Sequence, residues 1–289
     1  MKKSLLIILA GILWGTMGVF VRYFADMGFT SVQTAAIRIS TATVIIALFA
    51  LIMGGKKVFA IKLRDIGWFM AAGFISISGL SSFYFLSINA SSMCVAAILL
   101  YTAPVIVTVF SVFLFKEKFT VYKLFALIAA FSGCVLVTGV GGDVTTAGVV
   151  FGILSAFCYG SYSLFGKVLL KKYHPFTVTV YSFIFASVFL IAICNAGNLL
   201  TVFSENGYPI FKFIALGGVT AAAPFLLYTA GLNGMEAGKA SVMASVEPLV
   251  AAICGAVFFK EKIGIGGALG MALILLAVLL VNNFGRKTD

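Results

Sequence analysis

Glu247 stands about nine residues inside an apolar run near 238–260 and is followed directly by Pro248. At that depth an unpaired carboxylate costs on the order of 3 kcal/mol or more, so its presence asks for a partner. Two uses are open to it: it binds a cationic group or a proton exchanged for substrate, or it is a structural carboxylate hydrogen-bonded to a neighbouring helix. Arg38 is the other charge inside an apolar run, near 33–53. A guanidinium can hold a carboxylate or phosphate through two parallel hydrogen bonds. Its alternatives are to snorkel to the membrane interface or to pair within the fold. Trp14, Tyr84, Tyr101, Tyr159 and Tyr228, with Asn89 and Asn233, supply rings and a few polar tips, the usual make-up of a small-molecule site. Rings beside a carboxylate also suit a quaternary ammonium group. The competing use of these rings is in the aromatic belts at the membrane interfaces. Pro104 and Pro248 each remove a backbone donor, which releases the carbonyls of Leu100 and Ala244 and marks places for helices to bend.

What must position these groups is a membrane bundle. Of the 289 residues, 62% are hydrophobic and 10% charged, and the mean hydropathy is +1.16. Soluble domains run at about 45–50% apolar and about 25% charged. Apolar runs lie near 4–22, 33–53, 66–87, 92–115, 121–139, 147–169, 176–195, 210–232, 238–260 and 264–283. Each suits a hydrocarbon core about 30 Å thick. Helix is the state expected of them, because backbone polar groups in lipid must be satisfied within the segment. Met1-Lys2-Lys3 and the run from Ser4 to Phe20 lack a small-residue cleavage site and are read as the first span, not as a signal peptide.

The net charge of +11 does not point to nucleic acid, because the basic residues fall between apolar runs instead of gathering on one soluble face. With the N-terminus inside, fifteen Lys and Arg residues lie in cytoplasmic segments and four (Arg22, Lys212, Lys260 and Lys262) on the opposite side. That bias predicts two cytoplasmic termini and an even number of spans.

An internal repeat accompanies the spans. Phe115-Lys116-Glu117-Lys118 recurs as Phe259-Lys260-Glu261-Lys262, an offset of 144 residues that also pairs Pro104 with Pro248, Asn89 with Asn233 and Tyr84 with Tyr228. An offset of 145 pairs Trp14-Gly15 with Tyr159-Gly160 and Arg22 with Lys167. The expected fold is all-α, ten transmembrane helices in one membrane domain, with five in 1–143 and five in 144–289. An odd number per half requires the second half to enter the membrane upside down. In secondary transporters of this build the substrate site lies near the midplane, where the repeats meet.

Leu13-Trp14-Gly15, Arg38, Tyr101-Thr102-Ala103-Pro104 with Phe115-Lys116-Glu117-Lys118, and Glu247-Pro248 with Phe259-Lys260-Glu261-Lys262 together make a pattern through both halves. In it the chain resembles the EamA branch of the drug/metabolite transporter superfamily. That resemblance implies a ten-helix carrier of amino acids, nucleosides, sugars, choline-like cations or other metabolites, often an exporter. The first half has Ala103 before its proline where the second has Glu247, so the halves are chemically unequal there.

Other classes find little support. The sole histidine, His174, lies in a loop before Pro175, so neither a Ser/His protease nor an HExxH site can be assembled. Gly141-Gly142-Asp143 partly matches an aspartyl-protease loop but has no second intramembrane aspartate to share a proton. Gly160 to Gly166-Lys167 has five intervening residues where a phosphate-binding loop needs four, and Val168 follows it. Cys94, Cys134, Cys158, Cys194 and Cys254 sit singly in apolar runs and read as small packing residues. The GxxxG spacings Gly11/Gly15, Gly148/Gly152, Gly234/Gly238 and Gly266/Gly270 serve close helix packing, within the chain or in a homodimer. Glu117 and Glu261 each end a hairpin, where the dipole of the following helix favours an acidic group; they read as structural or gate contacts.

The function expected is secondary active transport of a small metabolite, an amino acid or related compound, by alternating access and in the export direction. The chain would be multi-pass in the cell inner (plasma) membrane, with no cofactor, no metal, and membrane lipids and the substrate as its partners. Uptake of a choline-like organic cation is the alternative, and translocation of a lipid or other amphiphile is a third. Glu247 is the expected proton or cation site.

Overall fold

The structure, a computed structural model, describes residues 2–91, 93–139, 144–195, 210–260 and 262–284. Gly141-Gly142-Asp143, Glu261, Arg286 and Lys287 lie outside the described residues, as do the side chains of Lys2 and Cys94.

Ten helical spans are long and apolar enough to cross a membrane: α1 Lys3–Asp26, α2 Ser31–Gly54, α3 Leu63–Ala90, α4 Val95–Phe115, α5 Val121–Thr138, α6 Thr146–Leu169, α7 Pro175–Ile193, α8 Ile210–Leu232, α9 Ala237–Phe259 and α10 Ile265–Asn282. They correspond run for run to the apolar stretches of the sequence. Large apolar side chains such as Ile52, Phe113 and Ile265 are about four-fifths exposed, as expected of groups that face lipid.

The pairing of spans crosses between the two halves. α1 packs on α8 and α9, and α6 packs on α3 and α4. α2 packs on α7 and α8, and α7 also packs on α3. α4 meets α9, and α5 meets α10 over a long interface. Lipid tails are as apolar as the helix surfaces, so such contacts depend on close van der Waals approach at small residues. Gly133 and Gly270 show this at α5 and α10, where a Cβ added to either would stand 2.6–2.7 Å from the other's carbonyl oxygen. At Gly15 of α1 a Cβ would stand 2.7 Å from the carbonyl oxygen of Glu247 and 2.5 Å from Val250 Cβ. Gly11 would meet the Ala244 carbonyl at 2.9 Å, so the Gly11/Gly15 pair packs α1 within the chain, onto the middle of α9.

Several spans are interrupted near their middles. α1 breaks at Thr16, whose hydroxyl donates to the Leu13 carbonyl at 2.7 Å. α4 breaks at Tyr101–Thr102, and its helix resumes at Ala103 with Pro104 in the first turn. α9 breaks at Ser245–Val246, and its helix resumes at Glu247 with Pro248. Proline lacks the N–H that would bond the carbonyl four residues back, Leu100 or Ala244, yet suits the first turn of a helix, so both breaks fall just ahead of the prolines. α3 and α8 each contain a wider π-helical stretch, Ala71–Gly79 and Gly218–Ala222. The helices that end at Phe115 and Phe259 are both closed by a left-handed lysine, Lys116 and Lys260, each at φ 55°.

Candidate functional site

The interruptions converge on the middle of the bundle. Glu247 opens the second helix of α9, half-buried, and accepts a hydrogen bond from the Tyr159 hydroxyl of α6 at 2.8 Å. Tyr159 also lines a small cavity of about 20 Å³, space for a water molecule. Trp14, Tyr159 and Tyr228 line that cavity, as do Tyr162 and Phe225. The Trp14 ring meets Phe225 at 5.1 Å, Tyr228 at 5.3 Å and Tyr159 at 6.2 Å between centroids, mostly edge to face, the arrangement that opposite ring charges favour.

Several hydroxyls in this box pair with one another. Tyr228 shares a hydrogen bond of 2.6 Å with Ser163, and Tyr162 one of 2.9 Å with Thr229. Ser76, from the π-helical stretch of α3, bonds Ser161 at 2.7 Å. Ser76, Ser163 and Ser241 give the cavity its polar points, so the chamber is a ring-walled space with exchangeable hydroxyl partners.

The structure thus brings Trp14, Tyr159 and Tyr228 to one cavity. Tyr84 and Tyr101 are half-buried residues of α3 and α4, and both lie within reach of the Glu247 charge. Arg38 is buried, 8% exposed, with its guanidinium against the Met17 sulfur; its charge reaches that of Glu247 through space. Asn89 and Asn233 are not brought to this site. Both are exposed, Asn89 in the last turn of α3 and Asn233 just after α8, because their matched spacing places them at the ends of matched spans. Tyr162, Phe225 and the three serines were not singled out from sequence. Tyr162 and Ser163 follow Tyr159 at three and four residues, and Phe225 precedes Tyr228 by three, spacings that share one helix face.

A second polar cluster closes the face of the bundle where α1 begins. Glu117, between α4 and α5, accepts from the Lys167 ammonium and, at 2.8 Å, from the backbone N–H of Ala237. Lys123 of α5 pairs with Glu236 at 2.7 Å and donates to the Lys118 carbonyl at 2.7 Å. Sequence reading assigned Glu117 to the helix that follows it; the structure sets it instead on the first N–H groups of α9, where the positive end of that helix meets its charge. Burial pushes the Glu117 carboxyl up, but the Lys167 hydrogen bond, the Ala237 N–H and the Lys167 charge together hold it below its ordinary value. On the opposite face Arg22 lies over the Phe259 ring at 4.3 Å, while on this face Lys167 lies over Phe115 at 5.2 Å. Among the described residues no group of three or more His, Cys, Asp or Glu is placed to hold a metal ion.

Comparison with known proteins agrees with this architecture. An uncharacterized transporter of Archaeoglobus fulgidus is 30% identical over 95% of this chain and 94% of its own length. The uncharacterized inner membrane transporter YicL of Salmonella typhimurium is 25% identical over 99% of this chain and 97% of its own. A solved crystal structure, 18% identical, has the same fold with a TM-score of 0.80 over 98% of both chains. The model of the EamA-like transporter family matches twice, at residues 1–139 and 146–283. Ten membrane spans, two matches of one family model and full-length kinship with transporters carry one conclusion: the chain is a membrane transporter and belongs to the EamA-like transporter family.

Proposed function

We propose that this transporter is a secondary carrier of a small metabolite, an amino acid or related compound, working by alternating access in the cytoplasmic membrane and in the export direction. The observation that carries the reading is Glu247, a carboxylate in the middle of α9, bonded by Tyr159 and set beside the ring-and-hydroxyl cavity. A carboxylate kept in mid-membrane at this cost has a use, and proton or cation coupling is the use that its neighbours support.

The halves 1–143 and 144–289 act as an inverted repeat with both termini cytoplasmic. Exchange of α1 with α6, α2 with α7, α3 with α8, α4 with α9 and α5 with α10 carries the pairings described above into one another, which supports this symmetry. So do the matched left-handed lysines and the matched cation–ring pairs. The ion-paired N-terminal face, with Glu247, Tyr101 and Tyr84 partly buried beyond it, supports a carrier closed toward the cytoplasm. Membrane lipids fill the apolar groove lined by Phe125, Ile128 and Leu276 between α5 and α10. The ring box beside a carboxylate favours a second reading, uptake of a choline-like cation through cation–π attraction.

Thermal unfolding of the purified chain against amino acids, amines, nucleosides and sugars tests the reading. A ligand of the native state stabilises it by about 2.7 kcal/mol at a hundredfold excess over Kd. Stabilisation by an amino acid, lost in Glu247→Gln, is expected; stabilisation by quaternary amines alone would favour the second reading, and a silent panel would argue against both.

A further inference from the structure

Arg38 has no anion. Its side chain is more than nine-tenths buried, so it does not snorkel to water, and none of the ion pairs among the described residues includes it. Its Nε lacks any hydrogen-bond acceptor. Among the described residues its guanidinium meets the thioether sulfur of Met17, a weak acceptor set against the five donors of an arginine. A buried charge left in this condition is expensive unless an oxyanion completes it. Glu247 acts on Arg38 through space, without an ion pair between them among the described residues, and already accepts from Tyr159.

Arg38 connects to the ring cluster through Met17. Met17 follows the Thr16 break in α1 and stands three residues after Trp14, whose ring touches Tyr159, the residue that holds Glu247. Arg38 and Glu247 thus each contact a residue close to the ring cluster, Met17 and Tyr159, and no ion pair among the described residues joins them directly.

We propose that Arg38 is the carboxylate subsite of the carrier, so that the substrate class is a zwitterion or organic acid and not a simple amine. This rests on the carrier reading above and sharpens it. The planar fork of the guanidinium takes both oxygens of the substrate carboxylate. Glu247 then faces the ammonium group when one is present.

The experiment uses alanine, leucine and phenylalanine, each with its decarboxylated amine and its deaminated acid. Binding is read by thermal shift on the full chain, and counterflow is read in proteoliposomes. The wild type is expected to bind at least one zwitterion or acid about tenfold or more tightly than the matching amine, because a site built for hydrogen bonds rejects an analogue that lacks the partner. Arg38→Gln erases that preference, and Arg38→Lys, which keeps the charge without the fork, retains part of it. Amines bound as tightly as their parent zwitterions, or a preference unchanged in Arg38→Gln, would overturn the subsite while leaving the carrier reading standing. Failure of all nine probes to bind or to exchange overturns both. If Arg38→Gln does not yield folded protein, the comparison of wild type with Arg38→Lys decides.

Discussion

Glu247→Gln is expected to leave a folded ten-span protein that has lost the pH-dependent part of its flux. Glutamine keeps the size of the side chain and an oxygen able to accept from Tyr159, so the 2.8 Å contact has a substitute. What disappears is the group that gains and loses a proton. Flux at the favourable pH should fall by at least about tenfold, the effect of losing about 1.4 kcal/mol of interaction in the rate-setting state. Tyr159→Phe provides the contrast. It removes one hydrogen bond to a buried charge, worth about 1.5–3 kcal/mol, while Glu247 remains to titrate. That variant should be slowed yet still respond to pH. Flux measured across a pH series in proteoliposomes separates the two, and an unchanged pH profile in Glu247→Gln would remove the carboxylate from the coupling step.

Glu117→Gln is expected to loosen the N-terminal face. The carboxylate satisfies the Lys167 ammonium and the first N–H of α9 together, with its own side chain 5% exposed. Breaking a buried pair by removing one partner costs about 3–5 kcal/mol, because the remaining charge is stranded. Lower thermal stability and faster amide exchange at Ala237 and Gly238 are the readouts. A double variant with Lys167→Met should recover part of the loss, and strict additivity of the two substitutions would argue against the pairing. The pH dependence has a definite sign. The native carboxyl is held below its ordinary value of 4.5, so its contribution is fully present above that value and is lost as pH falls through the lowered native value. Acidification from pH 7 to 5 should therefore leave this contact intact.

The ten spans were legible in the sequence because apolar length is set directly by membrane thickness, and runs interrupted by charge, Gly, Asn or Pro leave little choice of boundary. The breaks in α4 and α9 were legible as well, since Pro104 and Pro248 act through local sterics. The break at Thr16 and the π-helical stretches of α3 and α8 were not, because no residue type enforces them and packing against other spans decides. Trp14, Tyr159 and Tyr228 stood out through repeat-matched positions, yet the same matching also promoted Asn89 and Asn233, which the span ends expose. Repeat symmetry reports equivalent places in the fold, whether or not they face the cavity. Glu117 shows the other limit: its backbone partner lies 120 residues away in the chain, at a helix start that local rules cannot connect to it.

The most direct test of the central claim is counterflow in proteoliposomes preloaded with the unlabelled compound that stabilises the purified chain. Labelled compound is expected to accumulate transiently above its equilibrium level, to saturate with concentration, and to fail to do so in Glu247→Gln. Flux that rises linearly with concentration and never overshoots would contradict that claim, since a pore and not an alternating carrier would then be the working device.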